Sequence, residues 1–192
     1  GTNIPEAVKA MEITGAFSKK TLQQIIAQIF KRYKTTETSM MLDRLKDLGF
    51  KYSTISGITF SIMDIMTSQH KQEYIDAGQA KVDKINKQFQ RGLITEFERY
   101  TSVIDVWNGV RSQVEAELKG IAAANPTNPI FIMMTSGARG SLNQFTQMAG
   151  MRGLMAKPNG EAVEIPILTS LYEGHSVNEF FVNTHGARKG SA

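Results

Sequence analysis

The chain has 192 residues, of which 41% are hydrophobic and 21% charged, and its formal net charge is +4. This composition is ordinary for a globular protein, and the small positive charge permits contact with nucleic acid but fits an evenly solvated surface equally well. There is no cysteine, which excludes disulfides and thiolate zinc sites, and no apolar run approaches the roughly 20 residues that span a bilayer, so we expect a cytoplasmic protein without membrane contact.

The first sixty residues contain two helical patterns. Apolar side chains recur at helical spacing from residue 22 to residue 33, and Ser18 is placed to cap that helix. A second helix is predicted over 37–48, with Gly49 as its left-handed stop. The alternating segment 58–62 then indicates a half-buried strand.

Residues 69–121 carry the pattern of an antiparallel coiled coil. Apolar side chains step by alternate threes and fours, which keeps one seam facing a partner helix. The seam positions are Ile75, Gly78, Val82, Ile85 and Phe89 in the first helix and Phe97, Tyr100, Ile104, Trp107, Arg111, Val114, Leu118 and Ile121 in the second. Between them, Gly92 can end the first helix, and Thr95 with Glu98 forms a T-x-x-E capping box that begins the second.

Two prolines in 125–129 mark a boundary, and the pattern changes beyond them. The predicted elements there are short strands at 129–134 and 164–168, helical segments at 142–148 and 177–182, a turn at 157–160, and a new glycine-punctuated helix over 184–190. The predicted fold class is therefore mainly α with short β segments (α+β), as an antiparallel coiled-coil hairpin that projects from a small irregular body.

Glycine and arginine crowd together in the last third of the chain. Glycines let backbone N–H groups approach an anion and arginine supplies a fork of donors, so such segments can position a phosphate. The basic side chains concerned are Arg139, Arg152, Arg188 and Lys189. A plain turn, or pairing with nearby carboxylates, is the alternative, because the spacing matches no nucleotide-binding motif. No nucleophile–base pair and no metal-ligand spacing accompanies them, so an independent phosphate-handling enzyme ranks last.

The tip of the predicted hairpin has two interpretations. Exposed apolar groups on a projecting finger suit the binding of a partner. Alternatively, Leu93 and Ile94 only close the hairpin. The sequence leaves both interpretations open.

The glycine- and arginine-rich segments resemble the largest, beta-prime subunit of bacterial DNA-directed RNA polymerase. The resemblance rests on S-G-A-R-G at 136–140, A-G-M-R-G-L-M-A-K-P-N-G at 149–160 and T-H-G-A-R-K-G at 184–190, and it extends over nearly the whole chain. It implies three parts: 1–66 as the end of the pore domain and lead-in to the funnel, 67–124 as the rim helices of the secondary channel, and 125–192 as the F-loop region and the start of the bridge helix. The chain stops inside that helix start, so a fragment is expected.

The resemblance also implies a function. The chain would line the secondary channel and support the active centre for RNA synthesis from nucleoside triphosphates, without activity of its own. Support rather than catalysis is implied for Arg139, Arg152, His185, Arg188 and Lys189. Binding of transcript-cleavage or other secondary-channel factors is implied for Phe89, Gln90, Arg91, Leu93 and Ile94.

The catalytic Mg²⁺ of such a polymerase would have its ligands outside this chain, because the N-A-D-F-D-G-D motif that holds it is absent. The implied partners are the other polymerase subunits, the DNA template and the nascent RNA. Three positions depart from the usual pattern, namely Thr135, Tyr172 and Ser191, where Asp, Arg and Leu are usual. The alternative function is a stand-alone coiled-coil adaptor whose basic loops bind protein or nucleic acid.

Overall fold

The computed structural model describes residues 18–157 and 159–191, and of residues 185 and 187–191 it describes the backbone alone. The described residues are mainly helical, which confirms the coarse fold prediction. The helices are α1 (Lys19–Ser56), α2 (Lys71–Gln90), α3 (Glu96–Ala124), α4 (Pro129–Ser136), α5 (Leu142–Phe145) and α6 (Val177–Ser191). They belong to two compact units, of which the first contains α1 and α4 and the second contains the other four helices.

Helix α1 begins as the sequence predicts. The Ser18 hydroxyl accepts a hydrogen bond from the Thr21 N–H at 3.3 Å, and Ile25 and Ile29 on the apolar face are buried. The helix is interrupted at Lys34, whose φ of 62° and ψ of −160° divide it into the two predicted parts. Because L-residues rarely adopt positive φ, this is a strained kink.

The end of α1 differs from the prediction. Gly49 lies inside the helix, which continues to Ser56, and Gly57 with a φ of 60° provides the left-handed stop. A single glycine inside a helix costs only about 1 kcal/mol, so the seven helical residues that follow Gly49 can outweigh it.

The segment after α1 is not the predicted strand. Residues 58–61 form no ladder, and Ser61 caps a 3₁₀ turn over Ile62–Asp64. The Ser61 N–H donates to the Asp64 carboxylate at 2.6 Å, and the Met63 N–H donates to the Ser61 hydroxyl at 3.0 Å. The segment is exposed, and the Ser61 and Met63 N–H groups are bonded to neighbouring side chains, so no partner strand is required.

Helices α2 and α3 pack antiparallel along an apolar seam. Gly78 lies so close to α3 that an added Cβ would be 2.6 Å from Val110 Cγ2, and the Arg99 guanidinium lies 5.5 Å from the centre of the Phe89 ring. At the other end, Glu117 accepts hydrogen bonds from Ser68 at 2.5 Å and His70 at 3.1 Å. The buried seam residues are Ile75, Gly78 and Val82 on α2 and Val103, Trp107, Val110, Val114, Leu118 and Ala122 on α3.

The observed seam agrees with the predicted seam only in part. Trp107, Val114 and Leu118 are buried as expected, whereas Phe97 is 76% exposed. The turn between the helices agrees with the prediction: Gly92 has a φ of 72°, and Thr95 and Glu98 form the capping box, with the Thr95 N–H donating to the Glu98 carboxylate at 2.8 Å.

Residues 129–134 form helix α4 rather than the predicted strand. A short continuous apolar run has no readable period, so strand and buried helix cannot be distinguished by it. Pro129 occupies the first helical position, where its missing N–H costs nothing. Ile130 and Phe131 are buried, so the predicted burial of this segment is correct although its secondary structure is not.

The predicted helical segment 142–148 is present and is longer. It begins with a capping box formed by Ser141 and Gln144 and passes from α5 into a π-helical turn, Thr146–Gly150. This turn packs on α3, because a Cβ added to Gly150 would lie 2.7 Å from Val114 and 3.0 Å from Leu118. Glycine therefore permits a close approach to the buried end of the seam.

Beyond the π-helical turn, residues 151–176 contain no continuous strand in the part that is described. Two isolated antiparallel bridges, Gly153↔Ile167 and Ala156↔Ala162, replace the predicted edge strand at 164–168. The predicted turn is present, with the Gly160 N–H donating to the Lys157 carbonyl at 3.0 Å.

Helix α6 is one helix where two segments were predicted. Thr184 does not begin a new helix: the helix is continuous from Val177 to Ser191, and the Thr184 hydroxyl donates to the Phe180 carbonyl of the preceding turn at 2.6 Å. The hydrogen-bonding capacity of the threonine hydroxyl is thus met by a backbone carbonyl of the same helix.

Candidate functional sites

Two candidate sites lie in the second unit. One is the face of α6 that makes polar contacts, and the other is the tip of the α2–α3 pair. On α6, the helix begins with a capping box that the sequence reading missed. The Glu179 carboxylate accepts hydrogen bonds from the Ser176 N–H at 3.0 Å and the Ser176 hydroxyl at 2.8 Å. The S-x-x-E spacing at 176–179 was the available signal.

The same carboxylate also reaches outside the helix. Its Oε1 atom accepts hydrogen bonds from the backbone N–H groups of Leu168 at 3.1 Å and Thr169 at 3.2 Å. Burial would raise the pKa of Glu179, but the hydrogen bonds donated by Ser176 and Thr169 outweigh it and lower that pKa to about 2. Glu179 is therefore a carboxylate at neutral pH.

Arg152, a predicted support residue, contacts the same helix. Its Nε atom donates to the Asn183 side-chain oxygen at 2.7 Å, and its Nη1 atom donates to the Gln147 side-chain oxygen at 2.7 Å. The side chain is half-buried. It connects the π-helical turn to α6 through neutral amides, and among the described residues it has no carboxylate partner.

A second arginine beside this network was predicted only as a seam residue. Arg111 donates through Nη2 to the Asn143 side-chain oxygen, and its buried Nε has no hydrogen-bond partner in the described part of the chain. Its stem lies against Gly153, where an added Cβ would be 3.2 Å from Arg111 Cδ. The heptad pattern could not show this, because it records only which face a residue occupies.

The remaining predicted support residues are not brought together with Arg152 by the described contacts. Arg139 belongs to the first unit, is exposed, and follows Gly137, whose φ is 76°. The backbones of His185, Arg188 and Lys189 lie on α6, and their side chains lie outside the described residues.

The tip of the helix pair exposes apolar surface. Leu93 is 68% exposed and Phe89 37% exposed, Gln90 and Arg91 are also exposed, and Ile94 is half-buried. Leu93 thus makes little contact with the helix pair, whereas Ile94 contributes partly to its closure. Phe97, the second residue of α3, adds a further exposed ring.

An open groove of about 460 Å³ lies beside the tip. Its lining residues are Glu96, Phe97, Tyr100, Lys157, Glu161 and Glu164. Behind it, Arg99 forms ion pairs with Glu96 at 2.6 Å and Glu164 at 2.7 Å, and hydrogen bonds with these two carboxylates raise the pKa of Arg99. The Tyr100 hydroxyl donates to the Ala162 carbonyl at 3.0 Å. These contacts brace the start of α3 against the segment 157–164.

Within the residues described, no three His, Cys, Asp or Glu side chains are grouped so as to hold a metal ion. None of the described helices has both the length and the apolar character needed to cross a membrane.

Known proteins match this chain over its whole length. Family models match it in two places: RNA polymerase Rpb1, domain 3, over residues 7–65, and RNA polymerase Rpb1, domain 4, over residues 94–181. The DNA-directed RNA polymerase subunit beta' of Enterococcus faecalis is 54% identical over 190 residues, which is 99% of this chain. The chain belongs to the RNA polymerase beta-prime family.

Other beta-prime subunits match equally broadly. Those of Geobacillus kaustophilus and Bacillus anthracis are each 53% identical over 192 residues, 100% of this chain. The chain spans only 15% of the Enterococcus faecalis subunit and 16% of the other two. The Rpb1 domain 4 match over 94–181 contains Arg139, Arg152 and Glu179. Of the tip, residues 89–93 lie outside both family-model ranges and Ile94 lies inside, and the full-length alignments include the whole tip.

Proposed function

We propose that this chain is part of the largest subunit of a DNA-directed RNA polymerase, where it forms the secondary-channel funnel and supports the active centre during RNA synthesis from nucleoside triphosphates. The observation that carries the proposal is its identity of 53–54% with bacterial beta-prime subunits over 99–100% of its length. A stand-alone adaptor does not account for a match that includes both units.

The proposal assigns a role to each part of the chain. Residues 1–66 are the end of the pore domain and the lead-in to the funnel, 67–124 are the rim helices, and 125–192 are the F-loop region and the start of the bridge helix. The antiparallel packing of α2 on α3 supports a coiled-coil hairpin at the rim. The exposed apolar tip supports factor binding through Phe89, Gln90, Arg91, Leu93 and Ile94.

Nucleotidyl transfer belongs to the whole polymerase in this proposal. Arg139, Arg152, His185, Arg188 and Lys189 act as supports, and the bond between Arg152 and Asn183 is the contact that favours this role. The Mg²⁺ ligands are assigned to other parts of the polymerase, because the sequence of this chain contains no N-A-D-F-D-G-D motif. The partners are the other subunits, the DNA template, the nascent RNA and secondary-channel factors, and the location is the cytoplasm.

The proposal is tested in a hybrid enzyme. This chain replaces the aligned segment of the Enterococcus faecalis beta-prime subunit, and the reconstituted polymerase is assayed for RNA synthesis beside its unaltered parent. We expect the hybrid to assemble and to synthesise RNA. Assembly of a full polymerase without RNA synthesis contradicts the proposal.

Factor binding at the tip is tested in the same hybrid by replacing both Leu93 and Ile94 with serine. Loss of apolar contact area should weaken the binding of a transcript-cleavage factor, measured as a binding isotherm on the assembled polymerase. Met63→Ser is the matched control, because Met63 is 82% exposed and its neighbour Asp64 is bonded to Asn128, beyond the end of α3 opposite the tip. An isotherm unchanged by the tip substitutions means that these residues only close the helix pair.

A further inference from the structure

One face of α6 makes a row of contacts through residues that the sequence analysis did not select as support residues. Glu179, Asn183 and Gly186 are spaced four and three residues apart, so they share one helix face. Glu179 accepts from the backbone of Leu168 and Thr169, and Asn183 accepts from Arg152. Further along, a Cβ added to Gly186 would lie 2.5 Å from Met155 Cε.

The groups that contact this face are themselves joined. The Arg152 N–H donates to the Thr169 carbonyl at 3.3 Å, and the next residues pair as the bridge Gly153↔Ile167, with both hydrogen bonds at 2.9 Å. The two chain segments on either side of this bridge therefore form one small platform. Helix α6 lies on it through contacts from both segments.

Of these contacts, the one at Glu179 places the strictest requirement on side-chain chemistry, because both oxygen atoms must accept hydrogen bonds. A carboxylate accepts hydrogen bonds at both oxygens, and here Oε2 caps the helix while Oε1 holds the platform. Glutamine has the same shape but only one accepting atom, because its amide nitrogen donates. An amide placed here must turn a donor towards either the Ser176 N–H or the N–H groups of Leu168 and Thr169.

We propose that Glu179 is a positioning residue that fixes the first turns of α6 on the 152–155 and 167–169 platform, and that nucleotide addition depends on this link. The inference rests on the proposed function, because α6 is taken as the start of the bridge helix. Asn183, held by Arg152 one turn later, is the second fixed point on the same face. Glu179 contacts no substrate in this scheme and acts through the helix.

The link is separable from ordinary helix capping within this chain. Ser176→Ala removes the capping hydroxyl but leaves the Glu179 bonds to Leu168 and Thr169 in place. Glu179→Gln disturbs both. Asp83→Asn is a matched neutralisation of an exposed carboxylate on α2, where Asp83 accepts a hydrogen bond from Gln79 at 2.9 Å.

The experiment measures single-nucleotide addition by stalled elongation complexes of the hybrid polymerase at varied nucleotide concentration. Loss of positioning should lower the maximal rate in Glu179→Gln by about tenfold or more, with the nucleotide concentration for half-maximal rate unchanged. Ser176→Ala should stay within about threefold of the unsubstituted hybrid, since a lost cap frays the helix end only. Asp83→Asn should match the unsubstituted hybrid.

The maximal rate reports only the complexes that react, so a fold merely weakened by Glu179→Gln lowers the reacting fraction and leaves that rate unchanged. That result overturns the inference, as does an equal loss of rate in Glu179→Gln and Ser176→Ala. In both cases the unsubstituted hybrid is active and the proposed function stands. An inactive unsubstituted hybrid overturns the proposed function, and the positioning role with it.

Discussion

The α2–α3 pair and the segment that runs from residue 151 through α6 differ in the balance of forces that holds them together. The helix pair buries an apolar seam in which Val114 and Leu118 have no exposed surface. The second region contains no continuous strand among its described residues; it buries Met151 and Ile167, and hydrogen bonds accepted by Glu179 and donated by Arg152 fix how its segments meet. Apolar burial is non-directional and scales with area, whereas hydrogen bonds fix distance and angle. Apolar burial stabilises both regions, and in the second region directional hydrogen bonds also fix the position of α6.

The largest effect should follow from removing the centre of the seam. Trp107 is 4% exposed and lies against Gly78. Trp107→Ala should lower the free energy of unfolding by about 3–5 kcal/mol, because it removes a large buried side chain and leaves a cavity. Urea denaturation followed by circular dichroism measures the change. Phe97→Ala on the same helix is the control, since Phe97 is 76% exposed, and an equal loss in both variants would refute a seam centred on Trp107.

A smaller effect should follow from overfilling the same seam. Gly78→Ala places a Cβ at 2.6 Å from Val110 Cγ2, so it should destabilise the helix pair by about 1–3 kcal/mol through overpacking. Gly109 on the facing helix has no atom within 4 Å of the corresponding position. Gly109→Ala should therefore stabilise by about 0.5–1 kcal/mol, because alanine favours the helix. Thermal unfolding of both variants compares them, and shifts of the same sign contradict the close approach of the two helices at Gly78.

These two regions also differ in how far the sequence predicts them. The turn of the helix pair was predicted to the residue, because Gly92, Thr95 and Glu98 act on their immediate neighbours. The strand predicted at 129–134 was wrong, since a buried run of eight or fewer apolar residues fits a short helix equally well. Local signals decide local structure, and they leave short buried segments undecided.

The candidate site was predicted in part. The resemblance selected Arg152, and the structure gives it amide partners on two elements. Glu179 was missed although its capping spacing was readable, because its second use depends on where the chain places Leu168 and Thr169. That placement follows from isolated bridges, which leave no periodic pattern. The roles of Arg139 and of the tip stay predictions that depend on the family resemblance.

The smallest expected effect compares the two capping boxes, one in each region. Folding lowers the pKa of Glu179 from 4.5 to about 2, and bonds from Thr95 also lower the pKa of the fully exposed Glu98. A carboxyl group whose pKa is depressed on folding stabilises the protein above its unfolded pKa, and this contribution is lost as the pH falls through the folded pKa. The contribution of Glu179 should therefore be complete above about pH 4.5 and disappear towards pH 2.

Urea unfolding of the wild type, Glu179→Gln and Glu98→Gln between pH 7 and pH 2 measures this contribution. The difference in unfolding free energy between wild type and Glu179→Gln should shrink as the pH falls through this range, because the protonated acid no longer accepts at both oxygens. Glu98→Gln should show a smaller difference, because solvent screens an exposed carboxylate. A gap for Glu179→Gln that stays constant with pH means that the ionised form is not what holds α6, and the second region would then owe its arrangement to the shape of the side chain alone.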